Sequence, residues 1–202
     1  MSEAQQQALF DRVSDALRRT EDDTRPIVLM TCGLAGSGKS TLAKAVTARL
    51  PNFTRLSVDE IIHSKHGVYG VDYPADMALY QAYMDEAGQI FDDLFATYLR
   101  DERRDLVLDR SFYAKEDRDD FRARVEALVG GSGGGGGGGG ARVVLVFFRP
   151  TDKEVSWRRI VERKKESKTA NNALEIDRQL FEMYWAGFED PVGEGEIVID
   201  VV

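Results

Sequence analysis

The sequence predicts an α/β protein whose strands form a parallel sheet covered by helices on both faces. Three observations carry that expectation. Short apolar, β-branched runs alternate with segments of helical periodicity along the 202 residues, and strands separated by crossover helices pair in parallel. The first such strand runs directly into a glycine cluster, Gly33, Gly36 and Gly38, followed by a helix-forming run. The composition, 43% hydrophobic and 31% charged, suits one globular domain with a full core.

From the amino end, residues 3–19 read as an amphipathic helix with Leu9, Val13, Ala16 and Leu17 on one face. A polar stretch, 20–25, leads through Pro26 into the apolar run Ile27–Cys32, the first strand. Further strands are expected at 53–58, 105–108, 142–148 and 196–201, and helices at 39–50, 75–100, 115–129, 152–165 and 173–187. Neither an internal repeat nor an interdomain linker interrupts this order. The helix at 75–100 is the most periodic: Tyr80, Tyr83, Met84, Ala87, Ile90, Phe91, Leu94, Phe95 and Tyr98 recur at steps of three and four. At 1.5 Å per residue it would span about 39 Å, long for a simple crossover. A region inserted between the second and third strands to hold a substrate is the better reading.

Bulk properties exclude several classes. A lone cysteine, Cys32, forms no intramolecular disulfide, which suits a reducing compartment. No stretch approaches 18 consecutive apolar residues, and residues 1–7 are polar, unlike a signal sequence. A cytoplasmic protein without membrane contact is expected. The net charge of −8 opposes broad binding to nucleic acid, which needs Lys and Arg to neutralise phosphates. Of the 19 glycines, ten lie in 130–140, broken only by Ser132. A run this uniform reads as a flexible tether, natural or engineered, between a helix and the amino end of a strand.

Chemistry concentrates in the other glycine cluster. Gly33-Leu34-Ala35-Gly36-Ser37-Gly38-Lys39-Ser40 satisfies G-x-x-x-x-G-K-[ST] at every fixed position, after a strand and before the helix that Thr41 continues. Glycines let backbone N–H groups converge on phosphate oxygens, and the helix N-terminus adds partial positive charge. Lys39 suits the β- and γ-phosphates, and the Ser40 hydroxyl suits Mg²⁺. A nucleoside triphosphate is the expected ligand, and no guanine-reading N-K-x-D is present.

Three further features bear on the reaction. Asp59, in Ser57-Val58-Asp59, follows the second strand, at the end where open α/β sheets bind ligands. It is a candidate base toward an attacking hydroxyl, or a helix N-cap, or both. Asp109 ends the apolar run Leu106-Val107-Leu108, the form of a Walker B acid that orders Mg²⁺ or its waters, and Arg110 beside it could face substrate or phosphate. Residues 142–168 carry nine Lys or Arg against four Asp or Glu. Within them Arg159 and Arg163 share a helix face, either as lid arginines over ATP or as a solvated surface.

Together, GLAGSGKST at 33–41, the S-x-D of Ser57 and Asp59, LVLDRSF at 106–112, the arginine-rich 157–165 and the segment 181–191 resemble the P-loop kinases grouped with polynucleotide kinase, zeta toxin and chloramphenicol phosphotransferase. The loop is also similar to that of adenylylsulfate kinase, whose D-G-D is Ser-Val-Asp here. The resemblance implies an AAA-type ATP-binding domain of P-loop kinase type over 26–202, after an N-terminal helix and lead-in at 1–25. It implies five parallel strands in the order 2-3-1-4-5, an acceptor region at 59–101 and a helical lid at 151–172. ATP would be the donor, Asp59 the base, and Arg159 or Arg163 the lid arginine. Zeta toxins usually act within a toxin–antitoxin pair, and nothing in the sequence indicates a protein partner.

The acceptor region carries nine acids against two bases, with Tyr69, Tyr73, Tyr80 and Tyr83. That balance favours a neutral or cationic small molecule with a hydroxyl over the phosphodiester chain of a nucleic acid. Tyr80, Tyr83, Arg110 and Asp59 are its candidate contacts, although acids on a solvated helix face and core aromatics would leave the same pattern. His63 and His66 lack further ligands for zinc. A phosphotransferase to a small-molecule hydroxyl is expected; a polynucleotide 5′-hydroxyl kinase and a nucleotide-gated binding module are the alternatives.

Overall fold

The five apolar runs become strands β1 (Ile27–Cys32), β2 (Phe53–Leu56), β3 (Asp105–Leu108), β4 (Arg142–Pro150) and β5 (Ile197–Val201). They form one sheet in the order β2-β3-β1-β4-β5, every pair parallel. This is the expected order. The computed structural model describes residues 3–130, 140–170 and 174–202. The glycines at 131–139, and the residue at 173 where the last helix is expected to start, lie outside them.

The helices are α1 (Glu3–Asp11), α2 (Lys39–Arg49), α3 (Val58–His66), α4 (Met77–Ala96), α5 (Lys115–Val129), α6 (Lys153–Arg163) and α7 (Arg178–Gly187). Strand side chains alternate between two layers. Ile27, Leu29, Phe53, Val107, Val146 and Phe148 pack with Leu42 and Val46 of α2. Val28, Met30, Leu106, Leu108 and Phe147 pack with Phe91 and Phe95 of α4 and Phe121 and Val125 of α5. A residue's parity along β2 or β3 therefore decides whether it faces the glycine loop's helix or the aromatic layer.

Several boundaries move for local reasons. The helix expected at 3–19 breaks after Asp11 and resumes as a 3₁₀ turn at Ser14–Leu17, which lets Val13 and Leu17 enter the core. The second strand stops at Leu56 because Ser57 caps α3, its Oγ accepting from Glu60 N. The long helix begins at Met77 under an Asp76 cap and ends in a π turn at Thr97–Asp101. Asp152 and Asp177 cap α6 and α7, so the helix expected from 173 starts at Arg178.

At the amino end of the sheet, buried Asp105 accepts from Ile27 N at 2.7 Å, from Arg19 at 2.6 Å and from Asn52. Gly140 N donates to Val129 O at 2.8 Å and Arg142 N to Pro26 O at 2.8 Å. The two flanks of the glycine run therefore meet at this end, opposite the loop at Gly33. Among the described residues no helix is long and apolar enough to cross a membrane.

Candidate functional site

The buried strand β1 delivers the chain to Gly33, whose N–H donates to Ser111 O at 3.0 Å. The Gly33 φ of +143 is one that side-chain-bearing residues rarely adopt, and a Cβ here would crowd Phe148 O at 3.0 Å, so the turn favours glycine. Gly36 has φ +78, and a Cβ on it would lie 3.3 Å from Ile160 Cγ1 of α6; the loop is pinned between sheet and helix. Gly38 is the N-cap of α2, which aims that helix's amino end into the loop. Thr41 N donates to Gly38 O at 3.1 Å and closes the first turn. Leu34 is buried, and Ala35 packs against Ile160 and Phe181.

Two polar groups inside the loop fit a bound phosphate chain. Ser37 Oγ is buried and has no hydrogen-bond partner among the described residues. Lys39 Nζ donates to Leu34 O at 2.8 Å. Part of the lysine stem stays exposed, yet enclosure of its ammonium lowers the pKa to about 8, against the opposing pull of Asp109. A phosphate oxygen would satisfy both groups and favour the charged form of the lysine.

Across the loop, Ser40 Oγ donates to Asp109 Oδ1 at 3.2 Å. Hydroxyl and carboxylate are hard oxygen donors suited to Mg²⁺, which draws its remaining ligands from phosphate and water. Arg55 holds the other oxygen, Oδ2, through Nε at 2.9 Å and Nη2 at 2.6 Å, while its Nη1 reaches Glu60 Oε1 at 2.8 Å. Neither Arg55 nor Glu60 is singled out by the sequence motifs. The available signal was a lone cation inside a four-residue strand, two places before Ser57.

Asp59 lies in the first turn of α3. Ser57 does the capping, so the Asp59 carboxylate is not committed to that role, and the residue is exposed. Surrounding protein and then the Asp109 charge raise its pKa above the ordinary carboxylate value, opposed by Lys39, Arg55 and Arg163. The two lid candidates diverge. Arg163 acts electrostatically on both Lys39 and Asp59, and burial lowers its own pKa. Arg159 Nη2 instead donates to Val202 O at 2.7 Å.

The acceptor candidates divide as well. Burial and then Asp59 push Tyr80 to about 12, which puts its hydroxyl within electrostatic range of that acid. Tyr80 meets Tyr69 edge-on, Tyr83 meets Tyr73 edge-on, and His66 stacks on Tyr83 at 3.6 Å. Arg110 is exposed, and its guanidinium lies over Phe91 of α4, Phe121 of α5 and Phe112 at 5.3, 5.0 and 6.0 Å. Among the described residues no group of three or more His, Cys, Asp or Glu could hold a metal; His66 pairs with Glu86 at 2.7 Å.

A five-stranded parallel sheet with this loop after its first strand and an acid after its third is a P-loop α/β protein of the kinase-like type. A family model described as an AAA domain (AAA_33) matches residues 28–191. The chain belongs to that family. Solved structures share the fold at low identity. A candidate kinase from Chloroflexus aurantiacus matches with a TM-score of 0.61 at 17% identity, over 87% of this chain and 85% of that one. A chain of the Pnkp1/Rnl/Hen1 RNA repair complex matches with a TM-score of 0.58 at 17% identity, over 81% of this chain but only 44% of its own length. A fungal RNA kinase matches with a TM-score of 0.50 at 14% identity, covering 88% and 74%. No curated protein matches.

Proposed function

We propose that this protein is an ATP- and Mg²⁺-dependent phosphotransferase that moves the γ-phosphoryl group to a hydroxyl of a small molecule. The observation that carries the reading is the convergence of Lys39, the Ser40–Asp109 pair and the uncapped Asp59 at the carboxyl ends of β1, β3 and β2. Lys39 and the loop N–H groups would hold the phosphates in line, and Ser40 with Asp109 would hold Mg²⁺, which supplies charge neutralisation between the β- and γ-phosphates. Asp59 would accept the acceptor's proton, its raised pKa bringing it closer to the working pH of a base. Arg163 would offset charge on the transferring group.

The acidic, tyrosine-lined region around Tyr80 and Tyr83 favours a neutral or cationic acceptor over a polyanion. The likeness to a fungal RNA kinase and to a chain of an RNA repair complex keeps an oligonucleotide 5′-hydroxyl as the second reading. ADP release, measured with small hydroxyl compounds and with 5′-hydroxyl oligonucleotides, separates them. Stimulation by a small molecule is expected; stimulation by the oligonucleotide alone overturns the preference. Binding of ATP with no stimulation by either points to the nucleotide-gated module. With the stimulating acceptor, Asp59→Asn is expected to cost about 10²–10⁴ in turnover with ATP affinity unchanged.

A further inference from the structure

A charged side chain largely enclosed in the middle of a strand whose two ends are buried needs a reason. Arg55 has one in its parity. It pairs in register with Val107, on the sheet face that meets α2, the same face as Asp109, two residues on and just past the end of β3. Its side chain is 12% exposed and that of Asp109 is 3% exposed. Nε and Nη2 both hold Asp109 Oδ2, so the other oxygen, Oδ1, is left facing Ser40 Oγ at 3.2 Å. The remaining amino group, Nη1, holds Glu60 Oε1, one residue beyond Asp59 on α3.

We infer that Arg55 is a positioning residue, whose guanidinium sets the Asp109 carboxylate with Oδ1 toward Ser40 and ties that acid to the helix carrying Asp59. This rests on the reading of Ser40 and Asp109 as the Mg²⁺ side of the site. The planar fork matters because one group must grip two carboxylates in different directions, which an ammonium on a flexible stem does not do. Without the clamp, the buried Asp109 charge has Lys39 as its next cation. A turn toward Lys39 would take Oδ1 from Ser40.

The test needs no acceptor. ATP binding to the full-length chain is measured by calorimetry with Mg²⁺ and with excess chelator, and the ratio of the two affinities is the metal increment. Arg55→Met is expected to reduce that increment at least tenfold while the chelator affinity changes less than threefold. Arg55→Lys is expected to behave like Arg55→Met; a wild-type increment in Arg55→Lys would show that charge alone suffices and overturn the positioning role. Asp109→Asn removes the charge that Arg55 offsets, so the double variant Arg55→Met/Asp109→Asn is the one best placed to fold. Its increment should equal that of Asp109→Asn, because two residues acting through one carboxylate are not additive. Multiplicative losses overturn the inference. A normal increment in Asp109→Asn alone overturns the metal reading beneath it, and the inference with it.

Discussion

Lys39 Nζ donates to the carbonyl of Leu34, five residues back, at 2.8 Å, so the phosphate loop is closed on its own lysine. A triphosphate must replace that carbonyl, and only the protonated ammonium makes the exchange favourable. Enclosure holds the Lys39 pKa near 8. The Kd for ATP with Mg²⁺ is therefore expected to be nearly flat just above pH 7 and to rise as pH passes 8, approaching tenfold per unit. Without nucleotide the sign is opposite. Between about 8 and the unfolded lysine value near 10.4, the unfolded chain binds more protons, so stability rises with pH across that window. Calorimetric titration from pH 7 to 9.5 checks the first effect. Lys39→Ala should weaken binding at least tenfold and remove the pH dependence; unchanged affinity would undo the phosphate-site reading.

The lid arginines should separate by mutation. Arg163 shares its field with Lys39 and Asp59, whereas Arg159 is engaged with Val202 O. Arg163→Ala is expected to lower acceptor-stimulated turnover by about 10³, the lower end for a transition-state arginine. Arg159→Ala should stay within threefold. Single-turnover ADP release compares them, and the reverse order would mean that α6 re-registers when nucleotide binds.

Gly36 joins loop conformation to helix packing. Its φ of +78 is costly for any residue with a side chain, and Ile160 occupies the space beside it. Gly36→Ala is expected to lower stability by about 1–2 kcal/mol, the penalty for left-handed backbone, and to weaken ATP binding because α6 must retreat. Thermal unfolding and the same titration report the two effects.

The glycine-rich connection should prove dispensable. Gly140 N already bonds Val129 O at 2.8 Å, so both flanks sit together at the sheet end away from the loop. Shortening 130–140 to about four residues, a common length for such a connection, is expected to leave ATP affinity unchanged and the melting temperature equal or slightly higher. A tenfold loss of affinity would show that this end communicates with the site.

The sequence by itself determined the features written in local pattern. Alternation of apolar strands and periodic helices determined the parallel sheet, and the G-x-x-x-x-G-K-[ST] spacing after Ile27–Cys32 located the phosphate loop. The strand order came from resemblance, and the sheet has that order. Tertiary structure alone decided which side chains meet. Nothing in a run such as 157–165 tells Arg163 from Arg159, because their four-residue spacing puts both on one helix face; only the packing of α6 brings Arg163 into the field of Lys39 and Asp59 while Arg159 meets Val202. Arg110 follows Asp109 directly, yet their side chains leave the strand end on opposite faces, one to the phenyl rings of α4 and α5 and the other to Ser40. Arg55 and Asp109 are 54 positions apart and carry no shared motif. Parallel pairing of β2 with β3 brings them together, since residues of matching parity on neighbouring strands stand on the same face of the sheet.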